Sequence, residues 1–168
     1  RKDRRRLGED DPAIAQAVIF LANLYREQDR LGEAEEKCLE YLEIIGAMEE
    51  EGGLRLGTVS MLLGSIYQQQ GKLDDALGSH KRALRMFRRV HGDEDTIVAT
   101  VLVGIGHVLR LKGELDRAMA KYEKAREIIC RLVGEDHERV ADVLSDVATV
   151  LVDQGKDAEA MAMREKVL

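Results

Sequence analysis

One interval governs this chain. "YREQDRLGEA" at 25–34 is followed by "YQQQGKLDDA" at 67–76, "LRLKGELDRA" at 109–118 and "LVDQGKDAEA" at 151–160. Their closing alanines, Ala34, Ala76, Ala118 and Ala160, stand 42 residues apart each time. Tyr25, Tyr67, Leu109 and Leu151 keep the same step, as do Ala22, Gly64, Gly106 and Ala148, and no gap is needed in any column. A constant period of this size implies a repeat architecture, in which a unit buries its apolar face only against its neighbours.

The content of one period is helical. Before the second turn, Val59, Leu62, Leu63, Ile66 and Tyr67 recur at intervals of three and four, and after it Leu73, Ala76, Leu77, Ala83, Leu84 and Phe87 do the same. Each unit is therefore expected to be two amphipathic helices, A and B, joined by a short connection. Gly71, Gly113 and Gly155 supply the left-handed residue that ends helix A, and Asp29 is one of the few other residues that tolerates it. The small residue of helix A and the alanine of helix B are expected to let two backbones approach. Glu33, Asp74, Asp75, Asp116 and Glu159 fall in the first turn of helix B, where the helix dipole favours acids. With 45% apolar residues, 4% aromatics and no tryptophan, the core must be built from Leu, Val, Ile, Ala and Met, and a single proline leaves the helices unbroken.

The links between units are in register as well: "GEDD" at 8–11, "GDED" at 92–95 and "GEDH" at 134–137, with "EEEGGL" at 49–54 departing in sequence but not in length. Asp11 and Pro12 read as an N-cap followed by proline at the first helical position. The units are thus 8–49, 50–91, 92–133 and 134–168. Residues 1–7, "RKDRRRL", align with "EIICRLV" at 127–133 and are expected to close helix B of a preceding unit. A disordered basic tail is the alternative for those arginines. Since Leu168 falls inside the fourth helix B, the array is expected to continue in both directions.

A small residue in helix A, Tyr or Leu three positions later, glycine at the turn and alanine in helix B resemble the tetratricopeptide repeat. The 42-residue step, against about 34 in the common form, is similar to arrays of the kinesin light chain and nephrocystin type. "GEDHERVADVLSDVATVLVDQGKDAEAMAMREKVL" at 134–168 is the closest stretch. The resemblance implies an all-α fold, a right-handed α-solenoid of stacked antiparallel helix pairs. HEAT and armadillo repeats are the rival; they usually kink helix A with proline, and no unit here does. Asp157 replaces the leucine of 31, 73 and 115, and Arg164 stands where Cys38, His80 and Tyr122 stand, so the fourth unit approaches a capping end or receives a partner there.

The resemblance also implies a binding groove lined by the A helices. Carried onto this chain, its positions are Ile19, Asn23 and Arg26, then Met61, Ser65 and Gln68, then Val103, His107 and Arg110, then Ser145, Thr149 and Val152. An extended or helical peptide with apolar anchors and an acidic residue suits such a trough. The chaperone-tail clamp of some members needs lysine, asparagine and arginine; only Asn23 is present, with Ile19, Leu62, Thr100 and Gly104 elsewhere, so that specificity is expected to be absent. The paired asparagines of kinesin light chain "LNNLA" are missing too. On the B helices, Glu33, Glu35, Glu36, Glu40 and Glu43 face a basic set, Lys81, Arg82, Arg85, Arg88 and Arg89. Cross-helix pairing is one reading of that set and a basic ridge for an acidic partner or membrane surface is the other.

No enzyme is expected. His80, His91, His107 and His137 lack metal-site spacing, and "GIG" at 104–106 lies within a helix, where its glycines allow tight contact instead of cradling phosphate. No cofactor is implied, and His91 and His137 are expected as solvated linker residues. A net charge of −6 argues against a nucleic-acid partner. Cys38 and Cys130 read as reduced thiols, and the expected compartment is the cytoplasm, cytoskeletal association included. The expected function is a non-catalytic scaffold or adaptor for a protein or peptide. Alternatives are a structural spacer in a large assembly and a regulatory array of a larger enzyme or motor-associated protein.

Overall fold

A computed structural model of the chain describes residues 12–45 and 53–166. Residues 1–7, the linker at 8–11 with its Asp11 cap, and residues 49–52 of the first link lie outside the described residues. Among the described residues there are eight α-helices and no strand. They run α1 (Pro12–Glu27), α2 (Leu31–Ile45), α3 (Gly53–Gln69), α4 (Leu73–His91), α5 (Thr96–Leu111), α6 (Leu115–Val133), α7 (Glu138–Asp153) and α8 (Asp157–Glu165). The chain divides into two compact units at Val90/His91, the first holding α1 to α4 and the second α5 to α8.

The four recurring turns are one structure. In the second, Gly71 has φ 75°, its N–H donates to Gln68 O at 3.1 Å, and the Lys72 N–H donates to Tyr67 O at 2.9 Å. That pair of bonds satisfies carbonyls the helix end would otherwise orphan. Gly113/Glu114 and Gly155/Lys156 repeat it, and Asp29, with φ 58°, does so with Arg30. The residue closing the longer bond is the Tyr25, Tyr67, Leu109, Leu151 column. In the first two turns the following cation covers its ring: Arg30 lies 4.6 Å from the Tyr25 centroid and Lys72 Nζ 5.5 Å from that of Tyr67. The alanine column follows four residues on, fully or almost fully buried at every occurrence.

In the first unit the core joins Ala15 and Ala22 of α1 to Cys38, Tyr41, Leu42 and Ile45 of α2 and to Leu56, Val59, Leu63 and Ile66 of α3. The columns exposed in α1, at Ile14, Leu21 and Leu24, are buried in α3 as Leu56, Leu63 and Ile66, because α2 lies against α3. In the second unit Val101, Leu102, Ile105 and Val108 of α5 are buried with Tyr122, Ala125, Ile128 and Ile129 of α6 and Val143, Val147 and Val150 of α7.

The small-residue column does something other than admit a backbone. A Cβ on Gly64 would lie 2.9 Å from the His80 ring, and one on Gly106 2.6 Å from Cε1 of Tyr122. The column opposite reads Cys38, His80, Tyr122, Arg164, so glycine appears where the facing residue is a ring and alanine where it is cysteine or the exposed Arg164. Gly57 meets Phe87 in the same way, at 2.9 Å. Both cysteines are free: Cys38 is buried in α2 and Cys130 half-buried in α6. Burial pushes the Cys38 thiol up to about 12, against a smaller pull downward from Arg26, which makes it inert.

Candidate partner-binding faces

The A-helix positions behave alike within each unit. In the first, Ile19, Asn23 and Arg26 on α1 and Met61, Ser65 and Gln68 on α3 are all half-buried. Asn23 donates its side-chain N–H to Ile19 O at 3.0 Å, and Ser65 its hydroxyl to Met61 O at 3.3 Å. Those polar atoms are turned onto their own helix, which leaves the Asn23 carbonyl as an acceptor. Arg26 forms no ion pair among the described residues.

The second unit differs in its electrostatics. Val103, His107, Arg110 and Thr149 are half-buried, and Ser145 and Val152 exposed. His107 Nε2 lies 3.0 Å from Asp146, Arg110 Nη1 donates to Asp153 at 3.0 Å, and Arg139 donates to the Thr100 hydroxyl. Arg139, Asp146 and Asp153 are seven residues apart on α7, which places them on one stripe facing α5. The Tyr122 ring lies below, its centroid 5.6 Å from that of His107. Burial raises the Tyr122 phenol well above its ordinary value, the Asp146 charge adding to that and Arg110 opposing it. Sequence reasoning named His107 and Arg110 but not the carboxylates that hold them. It found Ser145 and Thr149 instead, whose hydroxyls bond back to Ala141 O and Ser145 O at 3.0 Å.

The basic set lies on α4, with Arg82 half-buried and Lys81, Arg85, Arg88 and Arg89 exposed. Among the described residues the α2 glutamates do not pair across to this set. Glu33 is taken by Arg30, Glu40 by Lys37 and Glu35 by Lys72, and Lys81, Arg82, Arg85 and Arg89 have no ion pair among the described residues. Between α2 and α4, above α3, is a cleft of about 580 Å³.

His137, half-buried, departs from simple solvation, whereas His91 is exposed at the end of α4. His137 is the N-cap of α7, its Nδ1 accepting from Arg139 N at 3.2 Å, and His91 Nδ1 approaches Asp95 at 3.5 Å while Asp95 caps α5. No helix among the described residues is long and apolar enough to cross a membrane.

The family described as tetratricopeptide repeat matches residues 56–130 and, overlapping them, 98–168. Among solved structures, the chain is similar to BtubC (BKLC) from P. vanneervenii, with 24% identity and a TM-score of 0.81 over 91% of this chain and 61% of that one. It is also similar to a putative kinesin light chain of Podospora anserina with nearly identical repeats, with 16% identity and a TM-score of 0.82 over 94% and 75%. MamA is a further match, with 18% identity and a TM-score of 0.65 over 92% and 71%. The chain thus spans about three fifths of BtubC. No curated protein matches it.

Proposed function

Because the chain belongs to the tetratricopeptide repeat family, we propose that it is a non-catalytic interaction scaffold whose A-helix faces hold a peptide segment of a protein partner. One observation carries this reading. Ile19, Met61 and Val103 occupy a single column and all three are half-buried, whereas Leu62 and Leu63 beside Met61, and Val101 and Leu102 beside Val103, are buried. Apolar side chains left at half exposure beside satisfied polar groups make a contact surface for apolar anchors. In the first unit Arg26, without an ion pair among the described residues, adds a site for a carboxylate. The kinesin light chain and BtubC likenesses support the array form without supplying a partner.

The test is capture of peptides from a displayed library by the isolated chain. Met61→Asp and Arg26→Glu are expected to weaken the selected peptide at least about tenfold, near 1.4 kcal/mol, with the far-ultraviolet circular dichroism unchanged. Failure to capture any peptide defeats this reading in favour of a spacer held by neighbouring subunits.

A further inference from the structure

The cleft between α2 and α4 belongs to neither A-helix face, and three features show it is hollowed out. Its counterpart in the second unit, between α6 and α8, encloses about 340 Å³, and Leu144 and Met163 line it at the positions of Ser60 and Ser79. Ser60 and Ser79 are thus truncations relative to the same fold one unit on. Gly78, also on the cleft wall, lies inside helix α4, and a Cβ built there meets nothing within 4 Å. No neighbour requires glycine, although it disfavours the helix interior.

Ser60 supplies a second, independent sign. It is completely buried, lines the cleft, and its hydroxyl has no partner among the described residues. Five other A-helix hydroxyls, of Thr58, Ser65, Thr100, Ser145 and Thr149, each donate to the carbonyl four residues back. Ser60 is the exception among these, a buried hydroxyl left unbonded beside the cleft.

The remaining lining states the chemistry. Leu39, Leu42, Leu63 and Tyr67 make an apolar floor and wall, with Leu39 43% exposed at the rim. Three carboxylates, Glu43, Asp74 and Asp75, stand against one guanidinium, Arg82. Beyond Leu39 the surface continues along α2 past Glu36 and Glu40. Glu36, Glu40 and Glu43 recur at helical spacing on one side of α2, and Glu36 and Glu43 have no ion pair among the described residues.

We propose that this cleft is a second docking site, which takes a basic amphipathic peptide segment of a protein partner. A leucine-sized side chain enters beside Leu39, Leu42 and Leu63, over the small Ser60 and Ser79, and flanking lysines or arginines meet Glu43, Asp75 and Glu36. It lies apart from the A-helix face, and the two can be tested separately.

The experiment uses the full chain and a fluorescein-labelled synthetic peptide alternating leucine pairs with arginine pairs, read by anisotropy. Binding is expected, and Ser79→Met and Glu43→Lys are each expected to weaken it at least about tenfold. Ser79→Met installs a residue the same fold already accepts at Met163, and Glu43 is exposed, so neither variant should unfold the chain; circular dichroism checks this. Peptides with glutamate for arginine, or serine for leucine, are expected not to bind. The proposal is overturned if the leucine–arginine peptide fails to bind, if either control peptide binds equally, or if both variants leave binding unchanged. It is equally overturned if Met61→Asp and Arg26→Glu abolish binding, which would place the peptide on the A-helix face.

Discussion

Tyr122 and Gly106 show how one residue's size is answered by another's absence. A methyl on Gly106 would stand 2.6 Å from a ring that is itself fully buried, so neither partner can move away cheaply. Alanine gains about 1 kcal/mol over glycine in helix propensity, but overpacking a tight core costs about 1–3 kcal/mol. Gly106→Ala is therefore expected to lower stability on urea unfolding despite the better propensity. Adding Tyr122→Cys should bring the cost below the sum of the two single changes, since Ala22 and Cys38 occupy these columns two periods earlier. Much of this was visible in the sequence as a small column and a variable column at fixed registers. The sequence could not show that the two face each other, because nothing in a period count says which side of helix B turns inward.

Among the elements, the connections were the most legible part of the fold. Glycine at a fixed offset, with aspartate as its substitute, points to the left-handed residue, and the structure has it at all four turns. What ties the second turn back to α2 was not legible. Glu35 of α2 accepts from Gln70 at 2.8 Å and from Lys72 at 2.9 Å, contacts that span most of a period. Partial burial pushes the Glu35 carboxyl up, but the hydrogen bonds from Gln70 and Lys72 and the Lys72 charge prevail and hold it below its ordinary value. A carboxyl with a depressed native pKa stabilises the fold fully above the unfolded value of about 4.3, and loses that contribution as pH falls below it. Glu35→Gln is thus expected to be less stable than the parent near neutrality and to show a shallower loss on acidification. Thermal unfolding followed across pH 3–7 measures both; parallel curves would count against the contact.

For the molecule as a whole, the two units present unlike electrostatics from like backbones. The A-helix face of the first carries Arg26, which has no ion pair among the described residues, whereas that of the second is neutralised internally by Asp146 and Asp153. Those partners were missed because His107 to Asp146 and Arg110 to Asp153 are 39 and 43 residues apart, off the period that organised the reading. Asp153→Asn is expected to release Arg110 and to strengthen binding of an acidic peptide severalfold at low salt, an effect lost at about 1 M salt where screening reaches a few ångströms. An unchanged affinity would show that Arg110 is held by more than its carboxylate. The matched columns of glycine with ring, and alanine with cysteine, carry a last consequence for how such a chain can be inherited or rebuilt. A hairpin must travel whole: grafting the first half of one onto the second half of another would drive a methyl into an aromatic or leave a hole where one had been. Copying by complete periods is the route that keeps every seam closed.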